Sequence, residues 1–336
     1  MKKFNIAVVG ATGMVGNKFL EVLTERQLPV ENYYLFASCR SAGKQIDFMG
    51  KPHTVIELTE ENISKLEGKV DFALFSAGGG TSKEFAPLFV KIGAVVVDNS
   101  SQWRMAEDVP LIVPEVNPED VKWNKGIIAN PNCSTIQAMV ALKPLYDAFG
   151  IKRIVYSTYQ AVSGAGVAGY NDLKNGINGE APKKFPYPIA FNMLPHIDVF
   201  LENGYTKEEW KMIAETRKIF HDDDLRITAT TVRVPVYHAH SESINVEFKK
   251  PCTKEAVFEA LGHFPGLVVM DDVAHNIYPM PILAENHDEV FVGRIRIDES
   301  VESGVNLWVV ADNIRKGAAT NAIQIVELLI KNALEA

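Results

Sequence analysis

A chain of 336 residues implies two domains at about 150 residues each, and 47% hydrophobic with 23% charged residues is a globular composition that excludes disorder and coiled coil. The 34 Lys+Arg against 42 Asp+Glu leave a net charge of −8, so no global positive field exists to hold nucleic acid or an anionic membrane. Cys39, Cys133 and Cys252 are odd in number and form no Cys-x-x-Cys, which fits neither a disulfide framework nor a metal site and implies a reducing compartment.

Lys2 and Lys3 precede the apolar run Phe4–Val9, but Gly10 and Gly13 follow before the core of a signal peptide is complete. No stretch approaches the roughly 18 apolar residues of a membrane span, so a soluble, cytoplasmic protein is expected. Phe4–Val9 and residues 33–38, 71–75 and 94–98 are short apolar runs that predict buried parallel strands. Helical patterns over Met14–Arg26 and 82–92 supply the crossovers, which predicts an α/β domain of the Rossmann type. Farther on, longer alternating stretches at 152–162, 226–236, 241–249 and 291–297 predict an α+β domain with a mixed sheet open on one face. The Gly-, Pro- and Asn-rich residues 164–195 exceed an ordinary connection and predict a short helix, an insertion or an interface segment. Residues 308–311 read as a strand, and 315–334 are apolar at helical spacing through Ala318, Ala322, Ile325, Val326, Leu329 and Ile330.

Gly10-Ala-Thr-Gly13-Met-Val-Gly16 directly follows the first strand and opens a helix, the setting in which backbone N–H groups approach a pyrophosphate. The plain alternative is a tight strand-to-helix turn with no ligand. For NAD the second strand should end in an acid that accepts the ribose 2′-OH. Here it ends Ala37-Ser38-Cys39-Arg40-Ser41, while Glu31 precedes the strand and lies at its wrong end. A guanidinium and two hydroxyls there favour the 2′-phosphate of NADP.

In Asn130-Pro131-Asn132-Cys133-Ser134-Thr135-Ile136, turn formers precede apolar Ile136, Met139, Val140, Leu142 and Leu145, which places Cys133 at or beside a helix N-terminus. Amide dipoles there favour a thiolate, although a small buried filler is the commoner fate of a cysteine. A nucleophilic cysteine with a nicotinamide cofactor suggests thiohemiacetal formation at an aldehyde, hydride transfer and release of a thioester. Of eight histidines, His240 ends a β segment within reach of Arg233 on the same run, with His238 its rival for acid/base work.

With these residues in order, the chain resembles the aspartate-semialdehyde dehydrogenase family over almost its whole length. The matching segments are 10–16, 38–44, 76–79, 99–104, 109–117, 130–136, 159–166, 233–246 and 311–327. The resemblance implies an NADP(H)-dependent enzyme, commonly a homodimer or homotetramer, that interconverts L-aspartate 4-semialdehyde plus phosphate with L-4-aspartyl phosphate on the way to lysine, methionine and threonine. It implies Cys133 as acyl-forming nucleophile, Gln160 as the group that orients the reacting centre and His240 as acid/base. Arg104 and Lys218 match phosphate-binding cations, Arg233 the clamp for the α-carboxylate and Glu215 the partner of the α-ammonium group. By themselves, Glu215 and Lys218 read as a solvated surface pair on one helix face.

For the cofactor, the resemblance implies Thr12, Gly13, Met14 and Val15 at the pyrophosphate, Arg40 and Ser41 at the 2′-phosphate, Ser163 and Gly164 on the nicotinamide side, and Asn313 with Gln324 from the chain's last part. It divides the chain into a cofactor domain of residues 1–132 with 314–336 and a catalytic and dimerisation domain of 133–313. One departure is Ala239, where the family often has Gly. The alternatives are N-acetyl-glutamyl-phosphate reductase, against which Glu215 argues because an acylated amine gains nothing from a carboxylate, and a catalytically silent NADP-binding paralogue.

Overall fold

The computed structural model describes residues 2–335; Met1 and Ala336 lie outside the described residues. The chain divides into two compact units, one taking in the chain up to Pro131 and again from Ala318, the other Asn132–Gly317.

The first unit is built on six parallel strands: β1 (Phe4–Val9), β2 (Val30–Ala37), β5 (Ile56–Glu57), β6 (Phe72–Phe75), β7 (Val95–Asp98) and β8 (Ile127–Ala129), in the order β5-β2-β1-β6-β7-β8. A short antiparallel hairpin, β3 (Gln45–Phe48) with β4 (Lys51–Thr54), lies between β2 and β5 in the chain. β1 is buried along nearly its whole length because both faces of the sheet are covered, which is why its sequence is continuous in apolar residues instead of alternating. On one face Phe4, Ile6 and Val8 meet Phe19 and Leu23 of α1 (Met14–Arg26). On the other, Ala7, Val9 and Phe75 meet Ala86 and Phe89 of α3 (Gly79–Lys91), with α2 (Glu60–Ser64) beside it. Strand order reverses between β1 and β6, the switch point where open α/β sheets bind ligands. β2 begins at Val30, so Glu31 lies inside the strand instead of ahead of it, still at the end opposite Arg40.

The second unit opens with α4 (Cys133–Phe149), which is buried on almost every side. Its mixed sheet contains β9 (Ile151–Gln160), β10 (Arg226–Arg233), β11 (His240–Phe248), β12 (Leu267–Val269), β13 (Val290–Ile297) and β14 (Gly304–Ala311), in the order β10-β9-β11-β14-β13-β12. The β9/β10 and β12/β13 pairs are parallel and the three between them antiparallel. Alternation along β9 buries Ile154, Tyr156, Thr158 and Gln160 and leaves Val155, Ser157 and Tyr159 less covered. Helices α4 and α6 (Lys207–Phe220) pack on the strands of this sheet, and α7 (Lys254–Gly262) packs on α4 and the β12 edge. The stretch 164–195 holds α5 (Gly166–Gly176), and a single turn, α8 (Pro281–Ala284), precedes β13.

The predicted helix over 315–334 is two structures. Arg315–Thr320 is a π-helical turn that spans the boundary between the units, and α9 (Asn321–Glu335) follows in the first unit. Ile323, Val326 and Ile330 of α9 join Ile6, Val8 and Leu74 in the core of that unit. The expected class, a Rossmann-type parallel sheet plus an α+β part with a mixed sheet, is the observed one.

Candidate active site

In the second unit the catalytic candidates converge through α4, β9, β10 and β11. Cys133 is the first residue of α4, and Asn132 caps the helix by accepting N–H from Ser134 at 3.0 Å and Thr135 at 3.4 Å. The cap is itself held by two carboxylates of α6: Glu215 accepts the Asn132 backbone N–H at 2.7 Å, and Glu208 accepts its amide Nδ2 at 2.9 Å. A Cβ at Gly317 would lie 2.9 Å from the Cys133 Cβ, so only glycine lets the backbone pass the thiol so closely. Glu215 is 1% exposed and Lys218 half-buried, which overturns the reading of this pair as a solvated surface pair.

Gln160 closes β9 on the buried face. Its Nε2 donates to Glu208 at 3.1 Å, and its Oε1 accepts from the Thr158 hydroxyl at 3.0 Å. Glu208 therefore gathers Asn132, Gln160 and, at 2.9 Å, Lys211. Burial alone would raise its pKa, but the Lys211 charge and the surrounding donors outweigh it and hold the carboxyl at about 2. In the sequence Asn132 reads only as a turn former before Cys133, and Glu208 does not stand out; its signal is the Thr206-x-x-Glu209 capping box, which starts α6 and places Glu208 in its first turn.

His240 starts β11 and is fully buried. Its Nδ1 accepts the Ala161 N–H at 3.0 Å, and a backbone amide can only donate, so the neutral ring carries its proton on Nε2. Among the described residues that Nε2 has no hydrogen-bond partner. Burial, with the Arg233 charge second, lowers the His240 pKa to about 3. His238, its rival, is half-buried and 3.8 Å from Glu285. Gly164 brings His240 and Arg233 together: a Cβ there would stand 2.9 Å from Arg233 Nη1 and 3.2 Å from His240 Nε2.

Arg233 ends β10 opposite Gln160 in the register. Its Nη1 donates to the Ala161 carbonyl at 2.6 Å, while its Nε is buried without a partner among the described residues. Burial lowers its pKa, and the nearby Glu208 and Cys133 groups raise it in opposition. Asn313 links the expected Ser163 to Ala239, the point of departure, accepting the Ala239 N–H at 3.0 Å and donating from Nδ2 to Ser163 Oγ at 3.1 Å. Ala239 has φ 66°, a left-handed conformation that explains why glycine suits this position. Two residues beyond His240, Glu242 is wholly buried with no partner on either oxygen among the described residues, and burial keeps its pKa well above the ordinary value.

In the first unit, Gly10 and Gly16 shape the loop after β1. A Cβ at Gly10 would meet the Ser76 carbonyl at 2.3 Å, and one at Gly16 would meet the Gly10 carbonyl at 2.0 Å. Gly13 caps α1 without a side-chain hydrogen bond, which leaves the helix's first amides for an anion. Thr12 and Arg40 are exposed, Met14, Val15 and Ser41 half-buried, and the Thr12 hydroxyl lies 3.5 Å from that of Ser41. Arg104 is buried and donates to the carbonyls of Asn130 at 2.9 Å and Asn99 at 3.0 Å. Gln324 on α9 donates to Glu115 at 2.9 Å. Among the described residues no group of three or more His, Cys, Asp or Glu is placed to hold a metal, and no helix is long and apolar enough to cross a membrane.

Two family models match: "Semialdehyde dehydrogenase, NAD binding domain" over residues 5–124 and "Semialdehyde dehydrogenase, dimerisation domain" over residues 142–316. The chain is 61% identical to an aspartate-semialdehyde dehydrogenase of Aquifex aeolicus over 98% of its own length and 99% of the relative's. It is 52% identical to one of Legionella pneumophila, over 99% and 97%. The crystal structure of aspartate semialdehyde dehydrogenase II of Vibrio cholerae complexed with ASA superposes with a TM-score of 0.94 at 49% identity, covering 98% of this chain and 99% of that one. The Candida albicans enzyme with NADP gives a TM-score of 0.76 at 28% identity, covering 98% of each. On this evidence the chain belongs to the aspartate-semialdehyde dehydrogenase family, oxidoreductases that act on aldehydes.

Proposed function

We propose that this protein carries out the NADPH-dependent reductive dephosphorylation of L-4-aspartyl phosphate to L-aspartate 4-semialdehyde through a thioester on Cys133, in the route to lysine, methionine and threonine. The observation that carries the reading is Cys133 at the head of α4, with its cap on Glu208 and Glu215 and with Arg233 close enough to interact with the thiol electrostatically. The ASA complex of the Vibrio cholerae relative and the NADP complex of the Candida albicans one support the choice of substrate and cofactor.

In the reductive direction the Cys133 thiolate attacks the acyl carbon, and the bond to phosphate breaks. When bound, NADPH supplies the hydride. The oxygen anion that develops needs a donor, and the partnerless Nε2–H of His240 is one. Collapse of that anion expels the Cys133 thiolate and frees the aldehyde without a proton from the ring. Taking a proton at Nε2 in the oxidative direction requires the other tautomer, with the Ala161 N–H released. Gln160, fixed at both ends by Glu208 and Thr158, orients the reacting group.

Arg233 clamps the α-carboxylate by two parallel bonds, Glu215 serves the α-ammonium group, and Arg104 and Lys218 the phosphate. The glycine-shaped loop fits a pyrophosphate on the amides of Gly13, Met14 and Val15 with Thr12 beside it, and Arg40 with Ser41 takes the 2′-phosphate. Ser163, Gly164 and Asn313 serve the nicotinamide end, and Gln324 acts from α9. We assign cofactor binding to residues 1–132 with 314–336, and catalysis and homodimer formation to 133–313. Cys133→Ala is the test: phosphate-dependent NADPH formation from the semialdehyde should vanish while NADPH binding, read by fluorescence, is kept. Retained turnover would end the covalent reading.

A further inference from the structure

Residues 164–195 meet Arg233 at its backbone, through Leu194, and at its side chain, through Gly164 and Phe185. The backbone of Leu194 pairs with Arg233 in both directions, at 2.9 and 2.8 Å. Upstream, the buried Asp172 carboxylate of α5 accepts three consecutive backbone N–H groups, from Lys183 at 2.9 Å, Lys184 at 2.7 Å and Phe185 at 2.9 Å. That turn delivers the Phe185 ring to 5.9 Å from the guanidinium carbon of Arg233. Space for the ring depends on Gly169, where a Cβ would come within 3.1 Å of Phe185 Cζ. Phe185 is partly buried against the cluster of Val162, Leu173, Ile189 and Leu194.

The guanidinium thus has Nη1 anchored on the Ala161 carbonyl and an aromatic ring against it. A two-point carboxylate contact tolerates only about 10–20° of misorientation, and the attraction of the cation to a ring face within about 6 Å favours one placement of the guanidinium. We infer that Phe185, held in place by Asp172, is a positioning residue that aims Arg233 and thereby sets recognition of the substrate's carboxylate. The inference rests on Arg233 being the carboxylate clamp near Cys133, and it gives residues 164–195 a task that neither their composition nor their length disclosed.

The test compares alkylation of Cys133 by iodoacetate and by iodoacetamide, which differ in a carboxylate and need no turnover. With Arg233 aimed at the site, wild-type protein should show a higher iodoacetate-to-iodoacetamide rate ratio than Arg233→Met. Phe185→Leu should lower that ratio about fivefold, the scale of one cation–π contact, and raise KM for the semialdehyde similarly with kcat within twofold. Phe185→Tyr should restore both. Asp172→Asn, which keeps the ring but weakens the turn, should shift the ratio in the same direction. A wild-type ratio no higher than that of Arg233→Met would overturn the clamp and the inference with it. A raised wild-type ratio that Phe185→Leu leaves unchanged, or two alkylation rates that fall together, would overturn the inference alone. Absence of turnover with the semialdehyde would remove the substrate reading and leave the alkylation ratio to decide about Phe185.

Discussion

The Glu215 carboxylate accepts the backbone N–H of Asn132 at 2.7 Å, one peptide ahead of Cys133. Both residues are buried, so the helix that bears the thiol starts from an amide fixed by α6 and not by solvent. Glu215→Ala removes that acceptor from a buried donor, and the expected cost is about 2 kcal/mol of stability, read as a lower urea midpoint. Glu215→Gln keeps one acceptor oxygen and should lose less than half as much. Equal losses would show that the bond to Asn132 is not what the side chain contributes.

Between pH 6.5, the ordinary value, and about 3, its value in the fold, His240 is charged in the unfolded chain and neutral in the folded one. Its contribution to stability is therefore complete above pH 6.5 and lost as the pH falls toward 3. The span is worth on the order of 4 to 5 kcal/mol. Glu208, held at about 2 against an ordinary 4.5, adds to the acid loss only below pH 4.5, and buried Glu242, raised above the ordinary value, acts in the opposite sense above it, so the difference between wild type and a His240 variant isolates the histidine. Urea midpoints from pH 6.5 down to 4.5 should fall more steeply for wild type than for His240→Gln; parallel slopes would exclude His240 as the source.

Much of this was legible in the sequence, and the parts that were not share a physical cause. α1 has its predicted bounds, Met14–Arg26, because a glycine cap precedes it and an apolar stripe through Phe19, Leu20, Val22 and Leu23 runs along it. Cys133 falls at a helix start because the Asn132 cap is a local signal. Glu208 escaped notice because its importance comes from partners 48 and 76 positions away, Gln160 and Asn132, which no local pattern encodes. Glu215 and Lys218 looked like a surface pair for the same reason: helical spacing tells which face they share, not what covers it. The Gln45–Thr54 hairpin and three-residue β8 are too short for periodicity to register. The break of the last helix into a π-helical turn was hidden because Ala318, Ala319 and Ala322 continue the apolar pattern across it.

Arg40 is exposed beyond the end of β2, opposite in chain direction to Glu31. Arg40→Glu places a negative charge where the 2′-phosphate is assigned, so KM for NADP should rise at least tenfold while KM for NAD changes by less than threefold, roughly the contrast of gaining a repulsion that only one ligand feels. Equal changes for both cofactors in initial-rate assays would contradict the assignment.

Ala239 holds a left-handed conformation with its methyl packed among Ala284, Phe291 and Val310. Ala239→Gly relieves about 1 kcal/mol of backbone strain and gives up about 0.8 kcal/mol of methyl burial. The two nearly cancel, and the net change in unfolding free energy should stay within about 1 kcal/mol with kcat retained. Ala239→Val combines a branched Cβ with the same backbone and should cost about 2 kcal/mol or more.

The Arg26–Glu327 ion pair joins residues 301 positions apart, and Ile323, Val326 and Ile330 complete a core begun by Phe4, Ile6 and Val8. On the ribosome, then, the inserted unit is finished before the one that encloses it. The earliest strands must wait, with one apolar side covered by α1 alone, for the final helix to emerge. Any stall or cleavage ahead of Asn321 would leave a nascent product whose thiol-bearing half is built and whose glycine-loop half is a sticky, half-roofed sheet.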